Sequence, residues 1–216
     1  MKKTSNLLAI LVCTFIFSAS HAQSLSDTLK ANGYLYEHFE PGFVVLHGGT
    51  TQQAPVNYNT NTQEIAFIQD GHLLILSNLD AIDTVFMGER KFIAHEGKFY
   101  EVGAAGNMPL LISYDNRKVP VSATVDHNGT SKQYDREVSN TVSEVYMNRR
   151  YKGNFVLEFV PQFWIRRGHT LYKANSEKQL EKIFPQKTNT IKDYVAAHHT
   201  VFSNTSELAQ LVTTLQ

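Results

Sequence analysis

The chain has 216 residues, in which 20 Lys and Arg are balanced by 20 Asp and Glu, with 9 His and 1 Cys. This length is typical of one domain, or of one domain with an appendage. The neutral balance argues against nucleic-acid binding, because phosphate recognition needs clustered Lys and Arg. With 42% hydrophobic and 19% charged residues, the chain is neither disordered nor a polytopic membrane protein.

The first residues have the pattern of an export signal. Lys2 and Lys3 precede a largely apolar run over 7–17, and Ser20-His21-Ala22 offers small residues at a cleavage site. The run is about half of the ~20 residues that a membrane-spanning helix needs. We therefore predict a signal peptide over 1–22, cleaved near Ala22, and a secreted protein of the periplasm or the cell exterior.

Removal of residues 1–22 changes the chemistry that is available to the protein. The single Cys, Cys13, leaves with the signal, and the remaining chain carries 18 basic and 20 acidic side chains. Lipidation of Cys13 is not expected, because Val12 is too large for the position before a lipidated Cys. The mature chain therefore has no disulfide, no thiolate metal site and no Cys nucleophile.

Residues 23–122 have the pattern of an antiparallel β-rich region. Short apolar or alternating runs recur every eight to eleven residues with turn signals between them, which is the spacing of a β-meander. Asp70-Gly71 between two such runs predicts a type I′ hairpin turn, since both central residues of that turn need positive φ. The predicted strands lie at 43–46, 54–58, 65–67, 72–76, 84–87, 91–94, 98–102 and 109–114.

Residues 123–152 are interpreted as a long polar connection, although an edge hairpin would look similar. The stretch opens with a turn-like segment from Asp126 to Ser131 and contains few large apolar residues. Connections of this length are uncommon in a compact domain unless they have a purpose. If the protein has a functional surface that leaves no sequence motif, this stretch is a reasonable place for it.

Residues 153–216 are predicted to form a β-hairpin followed by helices, in the same domain as 23–122. The hairpin turn is placed at Arg166-Arg167-Gly168. Ser176 to Gln179 fits a capping box, Thr190 is predicted to open a second helix, and Asn204 to Glu207 is predicted to cap a third. The expected fold is α+β, a curled antiparallel meander or partial barrel packed by C-terminal helices.

The histidines do not predict a metal centre. His198 and His199 are adjacent on a predicted helix and point about 100° apart, so they cannot clamp one ion. His198 falls on the apolar face and is interpreted as a packed core residue. Asp126-His127 offers two ligands in a loop, but this is a common pair. We expect no metal and no cofactor, and replacing both His198 and His199 by Ala should leave metal content unchanged.

Three further patterns are candidates for catalytic or cofactor chemistry. His47-Gly48-Gly49-Thr50 resembles an oxyanion-hole loop, but the required G-x-S-x-G elbow is absent. The Gly103 to Gly106 stretch lacks the third glycine of a dinucleotide loop. Four carboxylates remain, since glycosidases need only two at the right separation. Asp80 and Asp83 are otherwise expected to shape the loop before a strand, and Glu96 and Glu101 to face solvent.

Two pairs of adjacent aromatic residues predict a ring on each face of their strands, so one ring of each pair faces either solvent or a second layer. Phe99-Tyr100 and Phe163-Trp164 place neighbouring rings on opposite faces of their strands. Helices can cover one face. An apolar ligand or a partner protein would account for the other.

Several segments resemble a group of exported bacterial proteins of unknown function. The likeness would cover most of the mature chain, and it implies no catalytic residue because that group has no assigned activity. Its segments are Val56-Asn57-Tyr58-Asn59, Glu64-Ile65-Ala66-Phe67, Ile82-Asp83-Thr84-Val85, Phe99-Tyr100-Glu101-Val102, Leu180 with Ile183-Phe184-Pro185, and Ile191 with Tyr194 and Phe202.

The sequence thus favours a non-enzymatic binding or assembly protein of the bacterial cell envelope. Its partner would be an apolar small molecule or a cell-envelope protein, without nucleic acid and without a transmembrane segment in the mature chain. The alternative is a carboxylate-dependent hydrolase of the periplasm or cell exterior. An apolar cavity would favour ligand carriage, two carboxylates across a polar cleft would favour catalysis, and a flat aromatic patch would favour assembly.

Overall fold

A computed structural model describes residues 29–120 and 155–216, and these form one ten-stranded antiparallel sheet. The order across the sheet is β10-β9-β8-β7-β6-β5-β1-β2-β3-β4. The strands are β1 (Glu40–Leu46), β2 (Thr51–Asn59), β3 (Glu64–Gln69), β4 (His72–Ile75), β5 (Ile82–Met87), β6 (Arg90–His95), β7 (Lys98–Ala104), β8 (Leu110–Pro120), β9 (Phe155–Arg167) and β10 (Thr170–Lys173).

Helices follow the sheet in the chain, as the sequence predicted. They are α1 (Glu177–Ile183), α2 (Thr188–His198) and α3 (Thr205–Thr214), with 3₁₀ turns at Leu79–Ala81 and Pro185–Lys187. The predicted α+β class, a curled antiparallel meander with C-terminal helices, is confirmed, and the sheet is not closed into a barrel.

The half of the sheet from β7 to β3 curls around its own core. The backbone N–H of Phe99 at the start of β7 donates to the Gln63 carbonyl beside β3, at 2.7 Å, although four strands separate β7 from β3 in the sheet. This curl encloses one side of every strand between them. We call the enclosed side the inner face; its core residues are Val44, Val56, Tyr58, Ile65, Ile82, Val85, Met87, Phe92 and Phe99.

The half of the sheet that contains β8 and β9 is covered by the helices instead. Leu110, Ile112, Phe163 and Ile165 are at most 1% exposed and pack against the apolar faces of α1, α2 and α3. Tyr114 on β8 packs against both this helix-covered cluster and the curled core. The two halves therefore share side-chain contacts.

Tight turns connect the meander. Asp70 and Gly71 have φ of 52° and 76°, so the predicted left-handed hairpin turn between β3 and β4 is confirmed. Glu96 and Gly97 take the same positive φ between β6 and β7. Two-residue turns of this kind match the twist of antiparallel neighbours, which keeps consecutive strands adjacent.

Some boundaries differ from the sequence prediction. β9 continues through Arg167, which pairs with Thr170, so the final turn is Gly168-His169 and begins two residues later than predicted. Helix α2 begins at Thr188 and not at Thr190. The whole of the predicted connection at 123–152, with Asp126-His127, lies outside the described residues. Within the described part of the chain, no helix is both long and apolar enough to cross a membrane.

Candidate functional site: an apolar row on the outer face

Apolar side chains are exposed on the outer face of the curled half, opposite the core. Phe43 on β1 lies directly across from Phe86 on β5, and these rings are 44% and 39% exposed. Their chain neighbours Val44 and Val85 are buried, because successive strand residues point to opposite faces. The two aromatic rings therefore form a pair that faces away from the protein's own core.

Further exposed or half-buried apolar residues extend from this pair along the same face toward β4. Pro41 lies across from Pro55, and both are exposed. The β2–β3 register then places Pro55 beside Ile68, which lies across from Leu73. We call this set the outer apolar row; its members are Phe86, Phe43, Pro41, Pro55, Ile68 and Leu73.

On the inner face, the aromatic side chains of the described strands are buried. Tyr58, Phe92 and Phe99 are fully buried in its core, and the Tyr58 and Phe92 ring centroids lie 5.1 Å apart. The Tyr58 hydroxyl donates to the Phe99 carbonyl at 3.1 Å, and burial raises the pKa of this phenol. The curl is filled by the protein's own aromatic rings.

Two of the four candidate carboxylates come together at a small polar pocket. Asp80 and Glu96 line a pocket of about 220 Å³ together with His47 and His95. Asp83, the second residue of β5, has one carboxylate oxygen 3.7 Å from Nδ1 of His47. Both Asp80 and Glu96 are exposed, so water reaches them freely.

His95 at this pocket packs against an aromatic neighbour. Nε2 of His95 is buried without a hydrogen-bond partner, but this half-buried ring packs edge-on to Tyr100. Among the described residues, no group of three or more His, Asp or Glu side chains could hold a metal ion.

Glu101 is placed differently from the sequence expectation, which had it facing solvent. Its side chain is only 12% exposed and bonds to two groups on neighbouring strands. The Tyr114 hydroxyl donates to the carboxylate, and Arg90 donates to the same oxygen at 3.2 Å. Arg90 also lies over the Tyr36 ring. Burial and the neighbouring Glu101 charge raise the pKa of Tyr114. Both bonds to this carboxylate oxygen come from neighbouring strands, so the group ties β6, β7 and β8 together.

The adjacent aromatic pairs are almost fully accommodated by the protein itself. Phe99 and Tyr100 are 1% and 9% exposed, so both faces of β7 are covered there. Phe163 faces the helices, and the Trp164 indole N–H on the other face donates to the Ser113 hydroxyl at 2.9 Å. These pairs therefore did not locate the exposed surface. The alternation of Pro41, Phe43 and Val45 with buried residues was the signal that could have located it.

The remaining sequence candidates lie in turns, within a strand and on a helix. His47 to Thr50 forms the β1–β2 turn, where Gly48 and Gly49 have φ of 103° and 87°. Gly103 lies within β7, and Gly106 in the following turn faces the Gln216 side chain. The interpretation of His198 as a core residue is wrong. It is exposed, with its ring 4.1 Å from that of Tyr194, because only one turn of α2 around Ile191 is buried.

Comparison with known proteins adds no relative to this description. No protein-family model, no curated protein and no solved structure matches the chain.

Proposed function

We propose that the protein is an exported, non-enzymatic assembly module of the bacterial cell envelope, which binds a partner protein through the outer apolar row. One observation carries this proposal: the exposed Phe43–Phe86 pair lies on the face opposite the buried core. Exposed apolar surface that continues over several strands is typical of interaction sites. Aromatic residues are also enriched where interfaces bury their centres.

The packed inner face argues against ligand carriage. A carrier needs a concavity that its own side chains leave open, whereas Tyr58, Phe92 and Phe99 occupy the curl here. Native mass spectrometry of the purified protein should therefore give the mass of the bare chain. A co-purifying mass in the lipid range would contradict assembly and favour carriage.

Site-specific photo-cross-linking in the native host tests the docking surface. A photoreactive phenylalanine at position 43 should give a discrete adduct with an envelope protein, and Phe86→Ser should reduce its yield at least about fivefold. The matched control carries the same group at Gln210, which is exposed on α3. Equal adducts from both positions, or none from position 43, would overturn the proposal.

The alternative is a carboxylate-dependent hydrolase, favoured by the placement of Asp80 and Glu96 at one polar pocket. It predicts turnover of chromogenic glycosides or esters that is abolished by Asp80→Asn or Glu96→Gln. Glu89→Gln, in the exposed β5–β6 turn, is the control and should not change the rate. The assembly proposal predicts no turnover by any of these proteins.

A further inference from the structure

Strand β4 forms an open and apolar end of the sheet. All four of its residues are exposed, and Leu73, Leu74 and Ile75 are 55%, 42% and 42% exposed. Among the described strands, only β3 pairs with it. Natural sheets usually protect such an edge with a charged side chain, a proline or a bulge, and β4 contains none of these.

The backbone of β4 presents a defined set of hydrogen-bonding groups at this edge. Leu76 donates to the Ile65 carbonyl at 2.9 Å, and the same register pairs Leu74 with Phe67. Because antiparallel residues alternate between bonded and non-bonded pairs, the residues between them point the other way. The N–H and C=O groups of Leu73 and Ile75 therefore point away from the sheet.

The opposite end of the sheet differs in its side chains. Strand β10 carries Lys173, whose ammonium lies over the Trp164 ring, and Arg167 beside it lies over the Tyr172 ring. A cation at an edge strand discourages addition of a further strand. Self-association is therefore expected at β4 and not at β10.

We propose that β4 pairs with β4 of a second copy of this chain, antiparallel, about a two-fold axis at Leu74. In this register Leu73 lies across from Ile75 of the second copy, and Ile75 from its Leu73. These are the two residues whose backbone groups point outward, so each meets a bonding partner. If the axis lay at Leu73 or at Ile75 instead, one outward-pointing residue of each β4 would lie across from a residue outside β4.

The charged residues near β4 do not oppose its pairing with β4 of a second copy. Residues 71–79 contain no Asp, Glu, Lys or Arg. The proposed register places Asp70 across from Asn78, and His72 across from Leu76. Like charges therefore do not face each other in the dimer.

The contact area indicates a weak, reversible dimer. A stable interface buries roughly 800 Å² on each partner, which is more than one four-residue strand can supply. We therefore expect dissociation constants in the micromolar range or weaker. Since the axis is perpendicular to the sheet, the two outer apolar rows would join into one surface. The dimer does not rest on the proposed function, but it would double that docking face.

Sedimentation equilibrium tests the pairing, using the full chain with Cys13→Ser. Leu73→Lys places two ammonium groups at the contact and should raise the dissociation constant about tenfold or more. Leu171→Lys is the matched control, because the Ala174 N–H donates to the Phe163 carbonyl and Leu171 therefore also points outward, but on β10. A strictly monomeric parent, or equal weakening by both variants, would overturn the proposal.

Engineered cysteines test the register. With Cys13 replaced the chain has no thiol, so Leu74→Cys supplies the only one. In the proposed dimer, the Cα atoms of residue 74 in the two copies would lie about 4.5 Å apart, within disulfide range. The Cα atoms of residue 73 in the two copies would lie roughly 8 Å apart, so Leu73→Cys would place its thiols beyond that range. Disulfide dimers at position 74 and not at position 73 support the proposal; equal yields, or none at position 74, refute it. Circular dichroism checks that each variant is folded, and cross-linking from position 43 reports separately on the envelope partner.

Discussion

At the scale of single residues, burial of tyrosine hydroxyls is the main electrostatic feature of the curled half. Burial raises the pKa values of Tyr58, Tyr100 and Tyr114 above the ordinary value of 10.0. Tyr58 is fully buried and donates to the Phe99 carbonyl at 3.1 Å. These phenols stay neutral in the folded protein at a pH at which they ionise in the unfolded chain.

This difference predicts how stability responds to alkaline pH. Above pH of about 10 the unfolded state releases protons that the folded state retains, so the free energy of unfolding falls as pH rises. One such tyrosine contributes at most about 1.4 kcal/mol per pH unit. Tyr58→Phe should make the decline between pH 10 and 11.5 shallower by about that amount, measured by urea denaturation.

Tyr58→Phe has a separate effect at neutral pH. It leaves the buried Phe99 carbonyl without its donor, which should cost about 1–3 kcal/mol. Tyr172→Phe, at a ring that is 41% exposed, is the control and should change neither value appreciably. An unchanged alkaline slope in the Tyr58 variant would contradict the assignment of this slope to Tyr58.

At the scale of elements, the helix ends show how far local patterns determine structure. The predicted cap of α3 is confirmed, because the Asn204 side chain accepts from the N–H groups of Ser206 and Glu207 at 3.0 and 3.3 Å. The cap predicted for α1 is only partly present. Ser176 is in the N-cap position but makes no side-chain bond, while Gln179 accepts from the N–H of Asn175 at 2.7 Å.

Removal of the α3 cap should destabilise the whole protein. Asn204→Ala is expected to lower the free energy of unfolding by about 1 kcal/mol, a typical cost for such a change. The loss should be global, because Leu208, Leu211 and Val212 anchor α3 in the helix-covered cluster. Thermal denaturation followed by circular dichroism measures it. Gln210→Ala, exposed on the same helix, should have almost no effect, and equal losses would contradict the capping role.

At the scale of the whole molecule, the curled half and the helix-covered half share one sheet. Strands β7 and β8 continue from one half into the other, and Tyr114 contacts both clusters. Small domains with a continuous core usually unfold in one step. The residues from 23–122 and 153–216 that the structure describes should therefore unfold together.

This unity can be tested with one substitution in each half. Phe92→Ala in the curled half and Phe163→Ala in the helix-covered half should each cost about 3–5 kcal/mol. Both should shift the same single transition, whether it is followed by far-ultraviolet circular dichroism or by the fluorescence of Trp164. Two separated transitions in either variant would show that the halves fold independently.

Local sequence patterns account for the strands, the turns and one helix start of this protein. Alternating apolar residues and the Asp70-Gly71 turn predicted the meander, since both act over a few neighbouring positions. Asn204 predicted the start of α3 for the same reason. These signals involve only neighbouring residues, so they can be recognised without knowledge of the rest of the chain.

Only the tertiary structure decided which surfaces are covered. Glu101 reads as a solvent-facing charge in the sequence, yet Arg90 and Tyr114 from neighbouring strands enclose it. Phe43 begins an apolar run that predicts a strand, yet the curl of the sheet leaves its ring on the outside beside Phe86. The sheet's curl and the position of the helices depend on contacts between residues far apart in sequence, and no local pattern specifies them. The candidate docking surface became visible only when register and curvature were known.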